Sequence, residues 1–300
     1  MTTDPTDPTD PTAAPAAAAP AIALRTEDLC KHWGGVFAND RVTLSLPVGA
    51  RHALIGPNGA GKTTFVNLLT GLYPPSAGRV WLGDTDVTSL PMHQRVRRGL
   101  VRTFQINTLF AGLTVIESVV LAICERTGVA RVWYRPVSSC RDQIREAEAL
   151  LERLRLAEAA NTLTRNLPYG KQRLLEIALA LAMQPKILLL DEPASGIPAA
   201  DSAEVFEVIA ALPGDVTVLF IEHDMDLVFR FAQRIAVLVD GRLLTEGTPA
   251  EIAADQRVRN VYLGESSAHA AATAPSSSGT PSSSGTPSSS GAPPARKGES

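Results

Sequence analysis

Apolar residues in the middle of the chain gather in short, strand-length runs: His52 to Ile55, Ile187 to Leu190, Val216 to Ile221 and Ile235 to Val239. Runs of this length without polar alternation predict strands buried on both faces of a largely parallel sheet. The last run continues through Asp240-Gly241 into Arg242 to Thr245, and Asp-Gly between two apolar runs predicts a hairpin. A second period shows elsewhere. Arg141 to Ala157 places Ile144, Ala147, Leu150, Leu151 and Leu154 on one face, and Lys171 to Met183 does the same with Leu174, Leu175, Ala178, Leu181 and Ala182. Both stripes predict helices that pack against a core.

The ends of the chain follow neither period. Residues 1–20 repeat Thr-Asp-Pro and pass into Ala and Pro, while within 265–300 the stretch Pro275 to Pro294 cycles through Ser, Gly and Pro. Such compositions cannot bury enough apolar surface to offset the entropy of ordering, so both are expected to be disordered arms. Between them, 21–264 reads as one continuous domain. No stretch approaches the roughly 20 apolar residues of a membrane-crossing helix, and Asp4, Asp7 and Asp10 stand where an export signal would be basic. The expected location is the cytoplasm. A formal net charge of −3 argues against a nucleic-acid partner, which would call for dense Lys and Arg. The three cysteines, Cys30, Cys124 and Cys140, lie far apart with no histidine at metal-ligand spacing, and read as reduced structural thiols.

The chemistry begins after the first run. Gly56-Pro57-Asn58-Gly59-Ala60-Gly61-Lys62-Thr63, followed by Thr64, has two glycines five apart and then Lys-Thr, directly behind a predicted strand. Glycines let backbone N–H groups turn inward around phosphates, and the helix that follows offers its positive N-terminus to the same anion. Lys62 is then placed to reach the β- and γ-phosphates, and the Thr63 hydroxyl to take Mg²⁺. Downstream, the run ending at Leu190 meets Asp191-Glu192-Pro193. Acids after a strand are often only a solvated turn. Beside a phosphate loop they read as a Mg²⁺ carboxylate, Asp191, and a base that polarises the attacking water, Glu192.

With these motifs in hand, the chain resembles the nucleotide-binding subunit of ATP-binding cassette transporters over nearly all of 21–264. The resemblance implies a P-loop NTPase (RecA-like) α/β core with a mainly parallel sheet, an antiparallel β subdomain, and a helical subdomain at about 112–180. Gln105, in Arg102-Thr103-Phe104-Gln105, matches the family's glutamine loop, which touches Mg²⁺ and the attacking water. Leu167-Pro168-Tyr169-Gly170-Lys171-Gln172-Arg173 matches the signature segment, which caps the γ-phosphate held by the opposite subunit. His223, in Ile221-Glu222-His223-Asp224, matches the switch histidine. Trp33, ahead of Gly34-Gly35, stands where the family places an aromatic on adenine, although such a face also fits a core.

Arg102 to Gln105, the Tyr-Gly form of the signature, Ile221 to Met225 and the ending Tyr262-Leu263-Gly264 resemble the ATPases of branched-chain amino-acid uptake, a branch that also serves urea and other amino acids. The resemblance implies ATP and Mg²⁺ as ligands, membrane permease subunits and a second ATPase subunit as partners, and a solute-binding protein as an indirect one. It places the chain against the inner face of the cell membrane through those permeases. Two departures stand out. Pro168-Tyr169 replaces the family's Ser-Gly, and Pro198 stands where Asp is usual in the wider family and Asn in this branch. A non-hydrolysing regulatory cassette is the alternative those departures leave.

Overall fold

The computed structural model describes residues 21–103, 109–129 and 140–262. Gln105, Leu263-Gly264 and both terminal arms therefore lie outside the described residues. In chain order the first half supplies β1 (Ile22–Trp33), β2 (Val36–Pro47), β3 (Arg51–Ile55), α1 (Lys62–Thr70), β4 (Ala77–Leu82), β5 (Thr85–Asp86), α2 (Met92–Val96) and β6 (Leu100–Arg102). Helices α3 (Val115–Thr127), α4 (Arg141–Arg153) and α5 (Tyr169–Ala182) follow. The chain then alternates through β7 (Ile187–Asp191), α6 (Ala199–Ala210), β8 (Thr217–Ile221), α7 (Met225–Phe231), β9 (Arg234–Val239), β10 (Arg242–Gly247) and α8 (Pro249–Ala254).

All four apolar runs become strands of one six-stranded sheet, ordered β10-β9-β3-β8-β7-β6. Every pair but β9 with β10 is parallel. The unbroken apolar runs are explained by burial on both faces. Leu188, Leu190, Val218, Phe220, Ile235 and Val237 join a core with the helices, and their neighbours Ile187, Leu189, Leu219, Ile221, Ala236 and Leu238 join a second core with α1. At about 1.5–3 kcal/mol per fully buried large aliphatic side chain, the alternation fixes the register, since a one-residue slip would exchange the two sets. The Asp-Gly hairpin forms as expected, with φ of 47° at Asp240 and 77° at Gly241, the left-handed pair of a tight turn.

The antiparallel sheet, ordered β2-β1-β4-β5, covers α1 from the other side. Its long strands carry bulges. In β1 the buried side switches from Leu24 and Thr26 to Leu29 across Asp28, whose φ is 45°, and in β2 it switches from Asn39 to Val42 and Leu44 across Arg41 at φ 50°. One inserted residue moves the later side chains to the opposite face, so neither strand shows a clean alternation.

Among the helices, α3 starts on a reciprocal cap: the Thr114 hydroxyl accepts from the Glu117 amide at 3.3 Å and the Glu117 carboxylate accepts from the Thr114 amide at 2.8 Å. Helix α4 ends at Arg153, short of the expected Ala157. Arg155 takes φ 57°, and Leu156 and Arg155 donate back to the carbonyls of Leu151 and Glu152 at 2.8 and 3.1 Å. This is a Schellman closure with Arg in the place glycine usually fills, and it turns the chain so that Leu156 is buried. Helix α5 starts two residues earlier than expected, at Tyr169.

Candidate nucleotide site

Strand register brings the motif residues to one edge. Leu54 of β3 and Asp191 of β7 both lie abreast of Ile221 of β8, so Gly56, Glu192 and the Glu222-His223 pair leave the sheet side by side. Carboxyl ends of parallel strands are where open α/β sheets bind ligands.

The loop from Gly56 to Thr63 is held by backbone on several sides. Gly56 has φ 152°, and a Cβ there would stand 2.0 Å from the Leu238 carbonyl oxygen; at Gly61, φ 95°, it would stand 2.2 Å from that of Ala38. No other residue fits either position without moving main chain. The Gly241 amide donates to the Ala60 carbonyl at 3.0 Å and the Asn39 amide group to the Gly61 carbonyl at 3.3 Å. Ala60 turns its methyl into the core, leaving only backbone for a ligand, whereas Asn58, Gly59 and Thr63 are exposed at the mouth. Pro57 and Thr64 are half-buried beside them. Lys62 begins α1 and its Nζ donates to the carbonyls of Gly56 and Pro57 at 2.7 and 2.9 Å, so the ammonium curls over the loop it belongs to. At the far end of α1, buried Arg95 donates to the carbonyls of Leu68 and Leu69, both at 2.7 Å. A cation there complements the helix dipole whose positive end faces the loop.

Asp191 is buried at the end of β7 and paired with Arg102, whose guanidinium also donates to Asn67 of α1 at 2.6 Å. In the sequence Arg102 stands out only as part of a motif. Its position three residues ahead of Gln105 was the available signal. The guanidinium ties the strand leading to the glutamine loop, the acidic strand and the phosphate-loop helix together. No group of three or more His, Cys, Asp and Glu among the described residues could hold a metal by itself. Thr63 and Asp191 are hard oxygen donors, which fits a Mg²⁺ that takes few protein ligands and completes its shell with phosphate and water.

Glu192 has φ 48°, a left-handed backbone that costs about 1–3 kcal/mol for a residue with a side chain and is maintained only where its surroundings enforce it. Its amide donates to the Ile221 carbonyl at 3.0 Å. Next to it, Glu222 is buried, and burial pushes its carboxyl above the usual range; the Ala194 and His223 amides pull the other way. His223 is 72% exposed in its side chain, with Nδ1 3.7 Å from the Glu222 carboxylate. Sequence reasoning assigned Glu222 no role, because an acid next to a motif histidine reads as surface until its burial is known.

The signature residues stand apart from this edge. Tyr169 packs its ring on the Gly196 turn and its hydroxyl accepts from Arg173 at 2.8 Å. Gly170 lies against Asp201 of α6, and Lys171 donates to Glu204 of α6 at 3.0 Å and to the Arg155 carbonyl at 3.1 Å. Pro168 occupies the cap position, and no side chain caps the first amides of α5. Pro198 likewise occupies the cap position of α6, with no side-chain cap. Trp33 is 49% exposed at the tip of β1, edge-on to Tyr73 with ring centroids 5.7 Å apart and with the Lys31 ammonium 5.3 Å above its ring. Lys31 pairs with Asn39, which touches Gly61, so the tryptophan lies just beyond the phosphate loop on the same hairpin.

Comparison with known proteins identifies the family. A family profile described as "ABC transporter" matches residues 39–195, and one described as "Branched-chain amino acid ATP-binding cassette transporter" matches 242–268. The chain is 43% identical over 249 residues to the high-affinity branched-chain amino acid transport ATP-binding protein LivG of Escherichia coli (strain K12), covering 81% of this chain and 98% of that one. It is 39% identical to the corresponding BraF of Pseudomonas aeruginosa, over 81% of this chain and 98% of that one. Among solved structures, the ADP conformation of MJ1267, an ATP-binding cassette of an ABC transporter, superposes with a TM-score of 0.72 at 29% identity, covering 81% of this chain and 99% of that one. By fold, by the residues gathered at the sheet edge and by these likenesses, the chain belongs to the ATP-binding cassette transporter family, as one of its nucleotide-binding, ATP-hydrolysing subunits.

Proposed function

We propose that this chain powers the import of small solutes, branched-chain amino acids before urea or other amino acids, by closing and reopening with a second cassette ATPase. The observation that carries the hydrolytic part is the alignment of Gly56, Glu192 and His223 on adjacent strand ends. The branch and its solute are supported by the likeness to LivG and BraF and by the match over 242–268.

In this reading the loop amides from Asn58 to Thr64 surround the phosphates of ATP, with Gly56 and Pro57 shaping the turn, Lys62 leaves its loop carbonyls for the β- and γ-oxygens, and Trp33 stacks on the base. Mg²⁺, held through Thr63, Asp191 and Gln105, would neutralise charge on the phosphates. Glu192 takes a proton from the attacking water, and His223 contacts the γ-phosphate. The uncapped amides of Tyr169, Gly170 and Lys171 provide an anion site on α5, directed at the ATP of the partner subunit. Pro168 removes the hydroxyl of the usual serine but leaves those amides in place, which favours a hydrolysing subunit over a regulatory one. ATP then drives the partners between two states by binding the closed one better.

No helix of the described residues is long and apolar enough to cross a membrane. Permease subunits are proposed as partners from the likeness to transport ATP-binding proteins. A groove of about 1450 Å³, lined by Met92, Val96 and Arg97 near the edge strand and by Arg126, Met183 and Gln184 of the helical part, is the proposed permease dock at the inner face of the membrane. The test is steady-state hydrolysis by the purified chain. Glu192→Gln is expected to bind ATP normally and lose on the order of 100-fold or more in turnover; near-normal turnover would remove Glu192 from the mechanism.

A further inference from the structure

Glu222 has 0% of its side-chain surface exposed, lies between the turns that carry Glu192 and His223, and has no part in the reaction as set out above. Both of its oxygens are engaged. Oε1 accepts from the Ala194 amide at 2.9 Å and Oε2 from the His223 amide at 3.2 Å. Ala194 follows Glu192 by two residues, and Pro193 between them has no N–H to bond. The other amides of that turn are bound at 3.0 Å each, Glu192 to the Ile221 carbonyl and Ser195 to the Glu192 carbonyl. Glu222 therefore supplies a side-chain contact that fastens the turn after β7 to the turn after β8.

The chemistry of the group is specific to that task. A glutamine could accept through one oxygen only and would aim its NH₂ at the other amide. An apolar residue would fill the space and leave the Ala194 amide without this acceptor. A carboxylate stands there against electrostatic resistance, since burial and the nearby Glu192 both disfavour its charge. Holding Glu192 in its left-handed backbone requires such a fixed surrounding.

We propose that Glu222 is a positioning residue for hydrolysis: it locks the Glu192 turn and the His223 turn into one unit, so that both side chains meet the γ-phosphate together. The proposal rests on the roles given above to Glu192 and His223. The phosphate loop hangs from β3 and takes no bond from this carboxylate in the contacts described, so nucleotide affinity should not depend on it.

The test compares turnover and the affinity for a fluorescent ATP analogue in the purified full chain and in Glu222→Gln, Glu222→Asp and Glu192→Gln. Both Glu222 variants are expected to lose on the order of 10- to 100-fold in kcat, as displaced catalytic groups do, with nucleotide affinity within about two-fold of the parent. Unchanged kcat in both, beside an inactive Glu192→Gln, overturns the proposal, as does an equal loss of affinity and turnover. Normal turnover in Glu192→Gln would instead overturn the reading of the site. Should the Glu222 variants fail to fold, amide hydrogen exchange in the parent protein decides: protection of the Ala194 and His223 amides is expected, and exchange of Ala194 at the unprotected rate contradicts the lock.

Discussion

In the proposed function the phosphate loop and the signature turn both offer backbone amides to an anion, yet they are held in different ways. The loop is wedged by main chain: the Leu238 and Ala38 carbonyls leave no room for a Cβ at Gly56 or Gly61. The signature turn is held by side chains, through Tyr169 on Arg173, Lys171 on Glu204 and Gly170 against Asp201. Backbone constraint dictates residue type, whereas a side-chain framework can keep a helix start in place while its residues change. That is why Pro168-Tyr169 can replace the usual Ser-Gly without removing the amides of α5.

Matched glycine substitutions test this difference most severely. Gly61→Ala meets the Ala38 carbonyl at 2.2 Å in a left-handed backbone, and is expected to weaken ATP binding on the order of 100-fold, the equivalent of about 3 kcal/mol of strain. Gly170→Ala meets the Asp201 Cβ at 3.1 Å, a milder approach that a shift of a few tenths of an ångström relieves, and its φ is not in the left-handed region. Equilibrium nucleotide binding by the single subunit should then stay within about two-fold, while hydrolysis, which in the proposed closure uses the turn in trans, falls roughly ten-fold, the usual scale for losing one good contact. Equal loss of binding in the two variants would erase the distinction.

Arg173→Met attacks the side-chain framework directly. Arg173 is buried between Tyr169 and Glu176, with the Glu176 carboxylate at 2.8 Å. Removing it leaves Glu176 in a site where burial already pushes its carboxyl above the usual range, and should cost about 3–5 kcal/mol in denaturant unfolding. ATP affinity of the folded variant should not change; a parallel loss would mean that the two regions are one unit.

The strand beneath the loop carries an acid sensitivity of its own. His52 of β3 is buried 3.8 Å from Glu246, and burial lowers its pKa from 6.5 to about 4. The folded protein therefore favours neutral imidazole. The contribution is complete above pH 6.5 and is lost as pH falls toward 4, because the unfolded chain takes up the proton first. The loss amounts to about 3 kcal/mol over that range. Unfolding titrations of His52→Leu should lack this part of the acid limb, and an unchanged limb would assign it elsewhere.

The same contrast explains what could be read from the sequence. The central strands were legible because burial on both faces leaves unbroken apolar runs, and the phosphate loop because its glycines are sterically required. Strands β1 and β2 were hidden by bulges at Asp28 and Arg41 that reverse the buried face, and by buried Thr26 and Asn39, which look polar in a list of residues. The end of α4 falls short of the sequence expectation because Arg155 takes the left-handed turn that a glycine would announce. Arg102 and Glu222 were invisible as site residues for another reason. Their importance lies in contacts between distant strand ends, and no local spacing encodes those.

The claim on which the rest depends is that one chain carries half of each ATP site and a second cassette the other half. Sedimentation of purified Glu192→Gln with and without Mg·ATP tests it most directly. A shift from one subunit to two on adding Mg·ATP is expected, and Gly170→Ala in the same background should weaken it. A variant that binds Mg·ATP yet stays a single subunit at every protein concentration, both alone and mixed with a related cassette ATPase of the same transporter, would contradict the shared site.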